Sequence, residues 1–133
     1  MPAKRILITP GASGALLLVS ALLMNPGDGL LMTDPGYPCN RHFLRLVEAK
    51  GQLVPVTATE RYQLTAEKAK EHWQPNTKGA LVASPANPTG EILTRQQLHD
   101  LFALTQSQNG HLIVDEIYHG LTYDLDAPGK FQL

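Results

Sequence analysis

The stretch Gly79-Ala80-Leu81-Val82-Ala83-Ser84-Pro85-Ala86-Asn87-Pro88-Thr89-Gly90 reads as a short β-type run that passes directly into a turn. Asn87 stands before a proline, which biases it to an extended backbone, and Thr89-Gly90 completes the turn. A helical pattern follows. Thr94-Arg95-Gln96-Gln97 supplies a hydroxyl N-cap and a Gln three residues on, and Leu98, Leu101, Phe102 and Leu104 recur at helical spacing until Asn109-Gly110. A second apolar run, Leu112-Ile113-Val114, then ends on Asp115. Strand, crossover helix and strand in that order predict an α/β fold with a mainly parallel sheet.

The same alternation extends outward. Candidate strands are Arg5 to Ile8, Gly29 to Thr33, Gln52 to Val56, Gly79 to Ala83 and His111 to Asp115, and candidate helices begin near Ser13, Pro38, Thr65 and Thr94. The helix from Ser13 is apolar nearly all round and stops at Asn25-Pro26-Gly27, the pattern of a buried helix ending in a turn. From Asp124 to Leu133 the periodicity is lost, and no internal repeat or low-complexity linker interrupts the chain.

With 133 residues, 43% of them hydrophobic and 17% charged, the chain makes one ordinary globular domain at most. A net charge of −1 gives no electrostatic reason to expect nucleic acid or an anionic membrane as a partner, so a small molecule is the better expectation. The longest apolar run, Ala15 to Met24, is too short to span a bilayer, and Met1-Pro2-Ala3-Lys4-Arg5 does not open a secretory signal. The cytoplasm is the expected compartment. The single Cys39 permits no internal disulfide, and His42, His72, His99, His111 and His119 show no metal-ligand spacing with it, so no metal site is expected.

Asn87, Asp115 and Tyr118 carry the chemistry. They place an amide, a carboxylate and a phenol at the ends of two strands, a set suited to an aromatic nitrogen heterocycle bearing a phenolic oxygen. Asp115 closes an otherwise buried strand and needs a partner; a helix N-cap would also satisfy it. Tyr118 falls on the same side as Asp115 if a helical turn begins there. Asn87 alone would read as a loop residue capping its own turn. Gly11-Ala12-Ser13-Gly14 lies between a strand and a helix, where small residues let backbone N–H groups approach an anion; a tight turn with Ser13 as N-cap fits equally well. Tyr37, in Asp34-Pro35-Gly36-Tyr37-Pro38, stands at the carboxyl edge of the sheet, where ligands bind in open α/β folds, or simply packs the turn.

Taken in order, Thr9-Pro10-Gly11-Ala12-Ser13-Gly14-Ala15-Leu16, Asn25-Pro26-Gly27-Asp28 leading to Asp34-Pro35-Gly36-Tyr37-Pro38, Asn87-Pro88-Thr89-Gly90 and Asp115-Glu116-Ile117-Tyr118 resemble the class I/II aminotransferases of fold type I, enzymes that use pyridoxal 5'-phosphate. The resemblance runs from about Ile6 to Tyr123. It implies that Gly11, Ala12 and Ser13 hold the cofactor phosphate, Tyr37 stacks on the pyridine ring, Asp115 keeps the ring nitrogen protonated, and Asn87 and Tyr118 reach the phenolic oxygen. It further implies amino acid and 2-oxo acid substrates and a homodimer. Another reaction of the same fold type, a C-S lyase or synthase, and a non-catalytic truncated relic are the alternatives.

The resemblance also implies what residues 1–133 do not contain. They would form part of the large cofactor-binding domain, without the N-terminal arm, the segment of the Schiff-base lysine, or the small C-terminal domain. Lys130 lies in Pro128-Gly129-Lys130-Phe131, without the serine context of that lysine, and is not assigned its role. The chain alone is expected to be inactive. The family's first strand takes its neighbour from sequence beyond that lysine, so Arg5 to Ile8 is expected to rearrange or to drive self-association.

Overall fold

A computed structural model describes residues 1–123. After a 3-10 turn at Ala3–Arg5, the elements run α1 (Gly11–Leu23), β1 (Gly29–Asp34), α2 (Asn40–Leu46), β2 (Lys50–Pro55), a 3-10 turn at Ala58–Glu60, α3 (Ala66–His72), β3 (Thr77–Ala83), α4 (Arg95–Ser107) and β4 (His111–Asp115). The four strands form one parallel sheet in the order β2-β1-β3-β4. Between β1 and β3 the strand order reverses, and such a switch point opens a crevice at the carboxyl ends of the strands.

Period-two alternation divides each central strand between two cores. Leu31, Ala80 and Val82 pack with Val54, Leu98 and Leu101 on the side of α3 and α4, where Leu112 and Val114 join them. Leu30, Met32 and Leu81 face the other way, with Leu16, Met24 and Leu44 from the side of α1 and α2, where Ile113 joins them. Leu31, Leu64, Leu93 and Leu101 have no exposed surface. Full burial of each such side chain contributes about 1.5–3 kcal/mol.

Local signals set the ends of the helices. The Thr94 hydroxyl accepts the Gln97 N–H at 3.2 Å while the Gln97 amide oxygen accepts the Thr94 N–H at 2.8 Å, the reciprocal capping box that the sequence calls for. Thr65 caps α3 by accepting the Lys68 N–H at 3.2 Å. Strand β4 keeps the bounds expected for it, whereas β3 begins two residues earlier, at Thr77, because the Thr77 hydroxyl donates to the Gln52 side chain at 2.6 Å and so satisfies a buried polar group. β2 is displaced toward its start, to Lys50, where the Lys50 N–H donates to the Asp28 carbonyl at 2.8 Å.

Two expectations are corrected. Arg5 to Ile8 is not a strand: Ala3–Arg5 closes a 3-10 turn, and Ile6, Leu7 and Ile8 stay outside the sheet with relative exposures of 51%, 89% and 93%. An extended segment without a neighbouring strand gains no ladder hydrogen bonds, so a local turn competes successfully. Nor is α1 a buried helix. It buries Leu16 and Ser20 but exposes Leu17, Leu18 and Leu22, because the sheet and α2 cover only one of its faces. The final stretch, including Lys130, lies outside the described residues.

Candidate active site

The carboxyl ends of β1, β3 and β4 and the start of α1 surround a cavity of about 110 Å³ lined by Ala12, Ser13, Leu16, Tyr37, Ala83, Pro85, Asn87, Asp115, Ile117 and Tyr118. Six of the seven residues singled out from sequence meet there. Gly11 does not line it: at φ +75° its N–H turns back to the Thr9 carbonyl at 2.8 Å and is spent on the turn.

Because α1 begins at Gly11, Ser13 sits inside the first turn and is not the N-cap. First-turn N–H groups have no acceptor within the helix, and those of Ala12 and Ser13 stand at the cavity wall, where the helix dipole favours an anion. Across the cavity, Asp115 ends β4 opposite Ala83 of β3. Its Oδ1 accepts the Ile117 N–H at 3.0 Å, and its carbonyl accepts the Ser84 N–H at 3.0 Å. The carboxylate therefore has a backbone partner within its own turn, and no cation pairs with it among the described residues. The His119 N–H donates to the Glu116 carbonyl at 2.8 Å and closes the turn that brings Tyr118 back beside Asp115.

Asn87 is carried by a turn fixed at several points. The Gly90 N–H donates to the Ala86 carbonyl at 2.7 Å, the Ala86 N–H to the Glu91 carbonyl at 2.9 Å, and Gly90 takes φ +73°. The buried Ser84 hydroxyl accepts the Leu93 N–H at 3.0 Å. The Asn87 amide itself makes no hydrogen bond to another described residue, so both of its polar ends are free for a ligand. Tyr37 forms the opposite wall. Contact with the Cys39 thiol, with smaller contributions from burial and from Tyr118, raises the Tyr37 phenol above its ordinary value of 10.0, and a hydrogen bond with Ser13 opposes that. The hydroxyl is thus a neutral donor.

Sequence reasoning missed Gln63. Only 2% exposed, it donates from Nε2 to the Ala83 carbonyl at 3.1 Å and the Glu91 carbonyl at 2.9 Å, tying the end of β3 to the far side of the Asn87 turn. Its flanks, Arg61-Tyr62 and Leu64-Thr65, give no pattern that separates it from a surface glutamine. Cys39, Leu16 and Pro85 were likewise not foreseen. Among the described residues no three His, Cys, Asp or Glu side chains gather as a metal site.

The family model "Aminotransferase class I and II" matches residues 1–132. The chain belongs to that family. Its members depend on pyridoxal phosphate, and the order of motifs found in the sequence is theirs. The valine–pyruvate aminotransferase of Mycobacterium tuberculosis is 37% identical over 118 residues, which are 89% of this chain and 30% of that protein. The 1-aminocyclopropane-1-carboxylate synthase 6 of Arabidopsis thaliana is 37% identical over 127 residues, 90% of this chain and 26% of that protein. A crystal structure of an aminotransferase from Mycobacterium tuberculosis superposes with a TM-score of 0.82 at 37% identity, covering 90% of this chain and 32% of that one. The chain thus spans about a third of the length of the aminotransferases it matches.

The residues at the cavity fit the cofactor of this family. One wall offers an anion site, the other a carboxylate that lacks a cationic partner, and between them an unpaired amide and two phenols stand ready for a polar aromatic ring.

Proposed function

We propose that residues 1–133 form the cofactor-binding part of the large domain of an aminotransferase, and that a protein of its relatives' length transfers an amino group between an amino acid and a 2-oxo acid. The convergence of Ala12, Ser13, Tyr37, Asn87, Asp115 and Tyr118 on one cavity carries this reading.

Each residue has a role set by its chemistry. The Ala12 and Ser13 N–H groups, with the Ser13 hydroxyl, bind the phosphate. Asp115 places a negative charge against the ring nitrogen and holds a proton there, since an adjacent carboxylate favours the charged form of a nitrogen base. Asn87 and Tyr118 donate to the phenolic oxygen, and Tyr37 packs against the ring face. Leu16, Ala83, Pro85 and Ile117 supply an apolar lining that excludes water and strengthens these contacts. When bound, the cofactor withdraws electrons from the amino acid joined to it. The lysine that moves the substrate proton is expected beyond residue 133, so this chain alone should give no turnover.

The equal identity to a 1-aminocyclopropane-1-carboxylate synthase supports a second reading, in which the same electron sink serves a cyclisation or elimination. The cytoplasm as compartment and a homodimer as the full assembly rest on the resemblance. For the structure itself, no described helix is long and apolar enough to cross a membrane.

Pyridoxamine 5'-phosphate, which cannot condense with surface lysines, is the appropriate probe for a binding test. By calorimetry it should bind at least tenfold more tightly than pyridoxamine, and Asn87→Ala should weaken it about tenfold, or about 1.4 kcal/mol. Equal binding of the phosphorylated and unphosphorylated amines would refute the assignment of the phosphate site.

A further inference from the structure

We propose that β4 is a self-association edge: two copies of this chain pair their β4 strands antiparallel about a twofold axis at Ile113, which sets His111 of each copy opposite Asp115 of the other. The inference goes beyond the cofactor reading and does not depend on it.

The two edges of the sheet are built differently. β2 opens on Lys50 and closes on Pro55, whose carbonyl is already taken by Lys68 Nζ at 2.8 Å. Lysine and proline are the usual means of keeping an edge strand from pairing. β4, the other edge among the described residues, has neither. It presents Leu112, Ile113 and Val114, none fully buried, between one imidazole and one carboxylate.

Antiparallel self-pairing requires a strand whose two ends complement each other, and this strand meets that condition. Centred on Ile113, the register sets Leu112 against Val114 and His111 against Asp115, an imidazole N–H facing a carboxylate twice in each dimer. Residues directly opposite across a ladder have Cβ atoms about 4.5–5.5 Å apart, within reach of that contact. Parallel self-pairing would instead align like with like. A twofold axis normal to the sheet keeps the α1 layers of both copies on one side. There α1 exposes Leu17, Leu18 and Leu22, the last at 80%, and Ile113 belongs to the same apolar cluster as Leu16 of α1. Because the contact is isologous, it closes at two copies, and the guarded β2 edge does not extend it.

Sedimentation equilibrium of the full chain tests this. The expected result is a monomer–dimer equilibrium with a dissociation constant below about 100 µM, together with amide-exchange protection over 111–115 that rises with protein concentration. His111→Asp, at an exposed position, should weaken the dimer at least tenfold, and Ile113→Lys should abolish it at unchanged far-UV dichroism. The double exchange of His111→Asp with Asp115→His should restore it to within about threefold of wild type. A wild-type chain that stays monomeric throughout, or a dimer indifferent to both His111→Asp and Ile113→Lys, would overturn the proposal.

Discussion

Replacing Gln63 by Leu should loosen the one turn that presents Asn87. The amide of Gln63 is 2% exposed and makes two hydrogen bonds, 3.1 Å to the Ala83 carbonyl and 2.9 Å to the Glu91 carbonyl. Leucine fills similar space but donates nothing. The Glu91 carbonyl keeps the Ala86 N–H at 2.9 Å, so its loss is partial, whereas Ala83 loses the donor that bridges it to the turn. Two net hydrogen bonds at about 1 kcal/mol each, and a residual desolvation cost of about 1 kcal/mol set against the apolar gain of the leucine, give a destabilisation of about 2 kcal/mol. In urea, where a small domain loses about 1–3 kcal/mol per molar, the midpoint should fall by about 1 M at unchanged slope. Affinity for pyridoxamine 5'-phosphate should fall with it, since Asn87 would no longer be held in place. A midpoint within about 0.2 M of wild type would show that the bridge contributes little and that the turn is fixed by Ser84 and Gly90 alone.

Two further outcomes follow from the packing and the charges. A Cβ added at Gly79 would lie 2.3 Å from the His111 carbonyl oxygen, which is backbone and cannot step aside, so Gly79→Ala should part β3 from β4 and lower thermal stability by about 1–3 kcal/mol, with loss of probe binding; an unchanged melting temperature would contradict the register. Hydrogen bonds from Thr57, and then from Lys68, lower the Glu60 carboxyl to about 2 from 4.5. A lowered folded-state value stabilises the fold above the unfolded value and is lost as the pH falls through the folded one, so this contribution should disappear between about pH 4.5 and 2, and Glu60→Gln should flatten that part of the stability profile.

Much of this fold was legible in the sequence because the signals were local. The Thr94 capping box, the stop at Asn109-Gly110 and the uninterrupted Leu112-Ile113-Val114 run each depend on residues a few positions apart, and α4 and β4 lie where they were expected. The shared cavity was legible for a related reason: Asn87, Asp115 and Tyr118 stand just after strand ends, and parallel strands bring such ends to one edge. The failures were matters of coverage. Arg5 to Ile8 has the composition of a strand, but composition does not supply a neighbour, and the leucines of α1 indicate burial without showing what would cover them. Gln63 could not be recognised because its partners are backbone carbonyls 20 and 28 residues away. Gly11 was placed at the phosphate by its loop, yet its N–H is used within that loop.

The central claim is electrostatic: Asp115 holds a proton on the ring nitrogen of the bound cofactor. The most direct test is the nitrogen-15 chemical shift of ring-labelled pyridoxamine 5'-phosphate bound to the chain near pH 8, compared between wild type and Asp115→Asn. A protonated-ring shift in wild type that moves to the neutral-pyridine value in Asp115→Asn is the predicted result; the same shift in both proteins would contradict the account.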